Sequence, residues 1–138
     1  MKDVVINICG KIDDGHSVDN IEFAAVGRYE CDGGRYELSY DDGHTVDAPV
    51  VSRIIIESDG TAIIERTGGI NSRLNIKEGC RTQSSYQIPE GELLMGINGI
   101  TVDNRLTQSG GQVRLCYSID INAALQSKNE VLITVKEA

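Results

Sequence analysis

Apolar and polar residues alternate along this chain in short runs, broken roughly every seven to twelve residues by Gly, Asp, Asn or Ser. That period of two belongs to half-buried β-strands rather than helices. Over residues 4–12, Ile6, Ile8 and Ile12 share one face against Asn7, Cys9 and Lys11. Residues 21–31 set Ile21, Phe23, Ala25, Gly27 and Tyr29 against Glu22, Ala24, Val26, Arg28 and Glu30. Tyr36, Leu38 and Tyr40 define a third strand, preceded by Asp32-Gly33-Gly34 and ended by Asp41-Asp42-Gly43, both tight-turn sequences. Residues 50–57 and 61–67 form a hairpin about Ser58-Asp59-Gly60, and Gly68-Gly69 turns the chain into residues 70–77. Glu78-Gly79 leads into residues 81–88, where Ser84, Tyr86 and Ile88 share a face. Pro89-Glu90-Gly91 then introduces residues 92–102, apolar enough for burial along much of their length, with a bend or bulge expected at Gly96 or Gly99. A polar loop is expected over residues 103–110. Residues 112–121 alternate most cleanly, with Val113, Leu115, Tyr117, Ile119 and Ile121 on one side. Residues 123–128 are compatible with one helical turn, and Val131, Ile133 and Val135 mark the last strand.

The pattern predicts an all-β fold: an antiparallel up-and-down meander of about eight to ten strands closing into a β-barrel. An even strand number lets the last strand pair antiparallel with the first, which removes both sheet edges. Ten segments are discernible, and eight remain if two neighbours form one bent strand. No Pro-, Ser- or charge-rich stretch divides the 138 residues, so residues 1–138 are read as one domain.

Composition narrows the partners. With one Phe, five Tyr and no Trp, the core must be built mainly from Ile, Val and Leu. A net charge of −8 opposes a phosphate backbone, whose binding depends on clustered Lys and Arg, so no nucleic-acid partner is expected. The N-terminal apolar stretch is interrupted by Asn7 and lacks a signal-peptide pattern, and no run approaches a membrane span. Cys9, Cys31, Cys80 and Cys116 are too widely spaced for a C-x-x-C motif and are expected to remain thiols. A cytoplasmic protein with no membrane partner and no cofactor is the expectation.

The run through Gly27-Arg28-Tyr29, Leu38-Ser39-Tyr40-Asp41, Arg66-Thr67-Gly68, Tyr86-Gln87-Ile88-Pro89-Glu90-Gly91-Glu92-Leu93 and Leu115-Cys116-Tyr117 resembles the YwiB-like family of small bacterial proteins of unknown function. The resemblance spans nearly the whole chain and implies a lipocalin-like (calycin-like) antiparallel barrel in a bacterial cytoplasmic protein. It implies no activity. The first-strand Gly-x-Trp signature of true lipocalins has no counterpart in a chain without tryptophan, so extracellular ligand transport does not carry over.

Two sets of residues carry candidate chemistry. Asp13-Asp14-Gly15-His16-Ser17-Val18-Asp19-Asn20 is echoed by Asp41-Asp42-Gly43-His44-Thr45-Val46-Asp47-Ala48, identical at six of eight positions. In a meander both loops lie at one end of the sheet, where His16, His44, Asp14 and Asp42 could meet a divalent cation. Turns select Asp and Gly without any ligand, however, and no EF-hand or H-E-x-x-H spacing accompanies them. The second set is Tyr29, Tyr36, Tyr40, Tyr86 and Tyr117, which share parity with the apolar residues of their strands, together with Arg66 as a counter-ion for an acid. Phenols within a barrel could anchor an amphipathic small molecule, although small barrels are often filled by their own side chains. The parity of Arg66 is ambiguous because Ile63 and Ile64 make its strand apolar on both faces.

The function expected from sequence is therefore non-catalytic binding of a small amphipathic or acidic molecule inside the barrel or at its rim. The alternative is a protein-interaction or assembly module with a filled core, a homodimer included. A hydrolase or isomerase built on the His16 and His44 rim ranks last, because nothing shows a nucleophile, base and orienter converging.

Overall fold

The computed structural model describes residues 2–41, 50–68, 71–122 and 124–138, and for residues 86–88 the backbone alone. Ten antiparallel strands follow one another around a closed barrel: β1 (Lys2–Asp13), β2 (Val18–Asp32), β3 (Arg35–Asp41), β4 (Val50–Ile56), β5 (Ala62–Gly68), β6 (Ser72–Ile76), β7 (Arg81–Ile88), β8 (Gly91–Thr107), β9 (Gly110–Ile121) and β10 (Ala124–Glu137). Closure comes from β1 pairing with β10, in register from Val4 opposite Glu137 to Asp13 opposite Lys128. The β2–β3 hairpin shows how the turns are encoded. Asp32 pairs with Arg35 across Gly33 and Gly34, whose φ angles of 60° and 83° match the twist that a two-residue hairpin requires.

The alternation read from sequence fixes which side chains enter the barrel. Val4, Ile6, Leu38, Ile56, Ile76, Ile97, Leu115 and Ile133 are buried in one continuous core. At the end carrying the β2–β3 and β8–β9 turns, the Tyr29 hydroxyl donates to the Thr107 carbonyl at 2.5 Å, and Leu106 is buried nearby in the chain. This end of the lumen is filled by protein.

Two segments depart from the expected pattern. Residues 103–110 do not form a loop up to Gly110, because β8 continues to Thr107, with Asp103 opposite Arg114 and Leu106 opposite Gly111. A bulge between Gly99 and Thr101 shifts the register by one residue, so Val102 and Leu106 return to the core face while Asn104 places a polar residue at an inward position. The bulge hides the alternation. Residues 124–128 are strand rather than a helical turn: Ala124 pairs with Ile121 and Ser127 with Ile119, with a bulge between Leu125 and Ser127. The extra residue of a bulge breaks the period of two and so imitates a helical spacing. The segment expected over 70–77 is the shorter β6.

The double apolar character of β5 also has a structural origin. Ala62 and Ile64 face the core, whereas Ile63 pairs with Ile55 on the outer face, where both are nonetheless buried. The same outer surface carries a charge cluster. Arg53 bonds Glu37 and reaches Glu65 at 3.1 Å, and Arg73 reaches Glu65 at 3.3 Å. Glu37 is only 8% exposed, so its pairing with Arg53 compensates a desolvated carboxylate.

Candidate functional site

Among the described residues, the lumen is filled at the Tyr29 end and holds a cavity toward the other. The cavity, of about 360 Å³, lies among Ile8, Phe23, Ile54, Leu74, Met95 and Ile133, with Lys11, Tyr40, Arg66, Ser72, Tyr117 and Asn129 as polar lining. Its size falls within the usual range for small-molecule pockets, and an aliphatic wall with a few polar groups is their usual composition. Among the described residues that line it, the only charged ones are Lys11 and Arg66.

Strand register explains how the polar groups reach this wall. Tyr40 of β3 stands opposite Ser52 of β4, Ser52 opposite Arg66 of β5, and Arg66 opposite Ser72 of β6. Directly paired residues point to the same face of a sheet, so these four form one polar row around the inside of the barrel. Ser52 is 1% exposed, whereas Arg66 is exposed. The row therefore runs from the buried wall to the mouth. Phe23 packs against Tyr40, with ring centroids 5.9 Å apart, fixing that phenol where β2 meets β3.

Arg66 and Ser72 also line an open groove of about 700 Å³ on the neighbouring surface, together with Glu65, Asn71, Arg73 and Glu92. The guanidinium thus stands where an apolar interior meets a polar outer groove. On the opposite wall, burial raises the proton affinity of the Tyr117 phenol, and the positive charge of Arg66 partly offsets that rise. Arg66 on β5 and Tyr117 on β9 are not strand neighbours, so this influence acts across the lumen.

Of the residues singled out from sequence, Tyr40, Arg66 and Tyr117 line the cavity together. Tyr29 is 1% exposed and serves the closed end through its bond to Thr107. Burial, and then the charges of Cys31 and Tyr36, raise its proton affinity strongly. Tyr36 is half-buried against the core and is not among the residues lining the cavity. Tyr86 pairs with Ser72, and its side chain lies outside the described residues. Sequence reasoning missed Ser52, Ser72 and Asn129. The available signal was parity, since Ser52 alternates with Ile54 and Ile56, and a polar residue at an inward position is informative.

In the first of the two echoed loops, the Asp14 carboxylate accepts from the backbone amides of His16 at 2.9 Å and Ser17 at 2.8 Å. The Ser17 bond, followed by that of His16, holds the carboxyl below its ordinary range. These are the bonds of an Asx turn. His16 is exposed, and no group of three or more His, Cys, Asp or Glu positioned for a metal is found among the described residues. Asp42 and His44 lie outside the described residues. Cys9 and Cys80 are exposed free thiols, and Cys31 and Cys116 are half-buried free thiols.

The chain is 22% identical over 131 residues to the uncharacterized beta-barrel protein YwiB of Bacillus subtilis (strain 168), covering 95% of this chain and 91% of that protein. Its fold superposes on the crystal structure of the ywiB protein from Bacillus subtilis with a TM-score of 0.87 at 19% identity, covering 99% of this chain and 92% of the other. A family model described as "Domain of unknown function (DUF1934)" matches residues 6–133, and with that span the chain belongs to this family of β-barrel proteins.

Proposed function

We propose that this protein is a non-catalytic binder of a small amphipathic molecule, held with its apolar part in the barrel and its polar part at the mouth. The observation that carries this reading is the cavity of about 360 Å³, closed at the Tyr29 end and bordered by the Tyr40–Ser52–Arg66–Ser72 row at the other. An unfilled aliphatic space loses dispersion contacts along its lining, and an apolar occupant restores them. Tyr117 and Arg66 give such an occupant polar partners on opposite walls.

Native mass spectrometry of freshly purified protein, compared with denaturing spectra, tests the reading. The expected result is an added mass of a few hundred daltons that is lost on denaturation and absent from a folded Leu74→Phe variant, whose larger ring occupies the cavity. Equal retention by that variant would place the molecule elsewhere. Failure of the wild-type protein to bind any member of a panel of neutral and charged amphiphiles would end the proposal.

A second reading, a protein-interaction surface, is favoured by β2. Its register with β3 runs only from Gly27 to Asp32, so Val18–Val26 pairs on one side alone among the described residues. Val18 and Val26 are exposed there on the outer face. Light scattering decides it: a dimer broken by Val26→Lys supports pairing through this edge, and a monomer at all concentrations speaks against self-association.

A further inference from the structure

The reading above leaves the nature of the polar part open. We infer that it is an uncharged polyhydroxyl head of the sugar or polyol class, lying in the groove between the β5–β6 and β7–β8 hairpins while the apolar body fills the cavity. This rests on the cavity being a binding site, and it is the groove beside the mouth that carries it further.

The two spaces meet at one place. Arg66 and Ser72, directly opposite each other on β5 and β6, line both the cavity and the groove. Past this sill the lining changes character. Thr67, Ser72 and Ser85 bring hydroxyls, and both signs of charge are present, with the Glu65 and Glu92 carboxylates beside the Arg66 and Arg73 guanidiniums. Most of these charges are already engaged within the protein. Glu65 is held by Arg73 at 3.3 Å and by Arg53 at 3.1 Å, and Arg66 has a partner of its own. An ionic head of either sign would meet a like charge in the groove and compete with pairs that the fold already makes. A hydroxyl need break none of them, because it both donates and accepts: it gives its proton to a carboxylate lone pair that an ion pair leaves over, and accepts from a guanidinium N–H left over in the same way. A head carrying several hydroxyls thus matches a lining that mixes acceptors with donors.

Size sets the proportions. The groove, at about 700 Å³, has nearly twice the volume of the cavity, at about 360 Å³. At about 30 Å³ per water-sized group, the cavity takes on the order of twelve such groups and the groove about twice as many, which suits a medium-length alkyl body carrying one or two sugar rings. A head of one hydroxyl would leave most of the groove to water.

The test is calorimetric titration of the full chain with four probes that share one chain length, each kept below the concentration at which it forms micelles: decyl glucoside, decanol, decanoate and decyltrimethylammonium. Decyl glucoside is expected to bind about fivefold or more tighter than decanol, the worth of one further net hydrogen bond, and tighter than either ionic probe. Combining Thr67→Ala with Glu92→Ala removes an exposed polar partner from each side of the groove and touches no residue that lines the cavity. That double variant should erase the glucoside margin and leave decanol binding unchanged. A margin below about fivefold on the wild-type protein, an ionic probe that binds as tightly as the glucoside, or a margin that persists in the double variant would overturn the head assignment and leave the cavity reading standing. Failure of all four probes to bind the folded wild-type protein would overturn both.

Discussion

Gly27 and Gly10 offer a test in which the sign of the effect comes from packing alone. Both lie within strands, both have core-facing parity, and neither has a positive φ. Considered as isolated residues, each should become more stable on substitution by alanine, because glycine loses more backbone freedom on folding, by about 0.5–1 kcal/mol. The surroundings separate them. A methyl group on Gly27 would lie 2.7 Å from Ile6 Cδ1, 3.1 Å from Tyr40 Cβ, and closer still to the Ser39 carbonyl oxygen. The carbonyl belongs to the β3 backbone and cannot rotate aside, so β2 and β3 would have to separate. Overpacking of a rigid core costs about 1–3 kcal/mol, and involvement of main chain puts Gly27→Ala at the upper end. On Gly10 the nearest atoms would be Ile21 Cβ at 3.8 Å and Glu130 O at 3.9 Å, ordinary contact distances beside the cavity. Gly10→Ala should therefore gain about 0.5 kcal/mol. Urea unfolding followed by circular dichroism measures both, with the m-value checking that the denatured state is unchanged. At roughly 4 °C per kcal/mol, Gly27→Ala should also melt about 10 °C lower. A Gly27→Ala variant as stable as its parent, or a Gly10→Ala variant that loses more than about 1 kcal/mol, would refute the packing argument.

Tyr29→Phe removes the hydroxyl bonded to Thr107 and should cost about 1 kcal/mol at neutral pH. Because burial raises the Tyr29 pKa above its ordinary value of 10.0, the unfolded chain ionises first; this stabilisation is complete below pH 10 and is lost as pH climbs toward the folded value. Urea midpoints measured from pH 8 to 11.5 should thus fall less steeply for Tyr29→Phe than for the parent, and equal slopes would count against the buried phenol. Ser84→Ala deletes the acceptor of the Asn75 amide, 3.2 Å away, and should speed hydrogen exchange at that amide by about fivefold, whereas an unchanged rate would show that the side chain does not hold the β6–β7 seam. If an acyl chain enters the cavity, lengthening it from octanoate to decanoate buries two more methylenes, and affinity should rise about fifteenfold at 0.8 kcal/mol each; affinity independent of length would place the chain on the surface.

The barrel was legible because its inward residues are mostly Ile, Val, Leu and Tyr at strict alternation, and because Asp-Gly and Gly-Gly pairs mark its turns. Legibility failed wherever a strand gained a residue. The bulges after Gly99 and Leu125 shift parity, so residues 103–107 read as loop and residues 124–128 as a helical turn. The site was only half legible for a related reason. Tyr40 and Tyr117 announce themselves as aromatic residues on apolar faces, but Tyr29 has the same signature and occupies the closed end. Which end of a lumen a residue reaches depends on the strand stagger, which a single-strand pattern does not encode. Arg66 was ambiguous until the pairing of Ile63 with Ile55 assigned the outer face of β5.

That stagger also explains why the mouth lies where it does. β8, β9, β10, β1 and β2 have 12 to 17 residues each, and their hairpins pair along nearly their full length. The β3, β4 and β5 strands have 7 residues each, and β6 has 5. Between β6 and β7 the ladder is confined to Ser72 opposite Tyr86 and Arg73 opposite Ser85. Beyond it, side chains take over from the main chain, with Ser84 accepting from the Asn75 amide and the Thr82 hydroxyl donating to the Asn75 carbonyl. Side-chain bonds of this kind can break singly, whereas a ladder must part along its length, so this seam opens locally at less cost than the long hairpins. Ser72 belongs both to this seam and to the cavity wall, directly opposite Arg66. The shortest ladder among the described strand pairs thus adjoins the polar row on the cavity wall, and entry and polar anchoring of an amphiphile would draw on the same few residues.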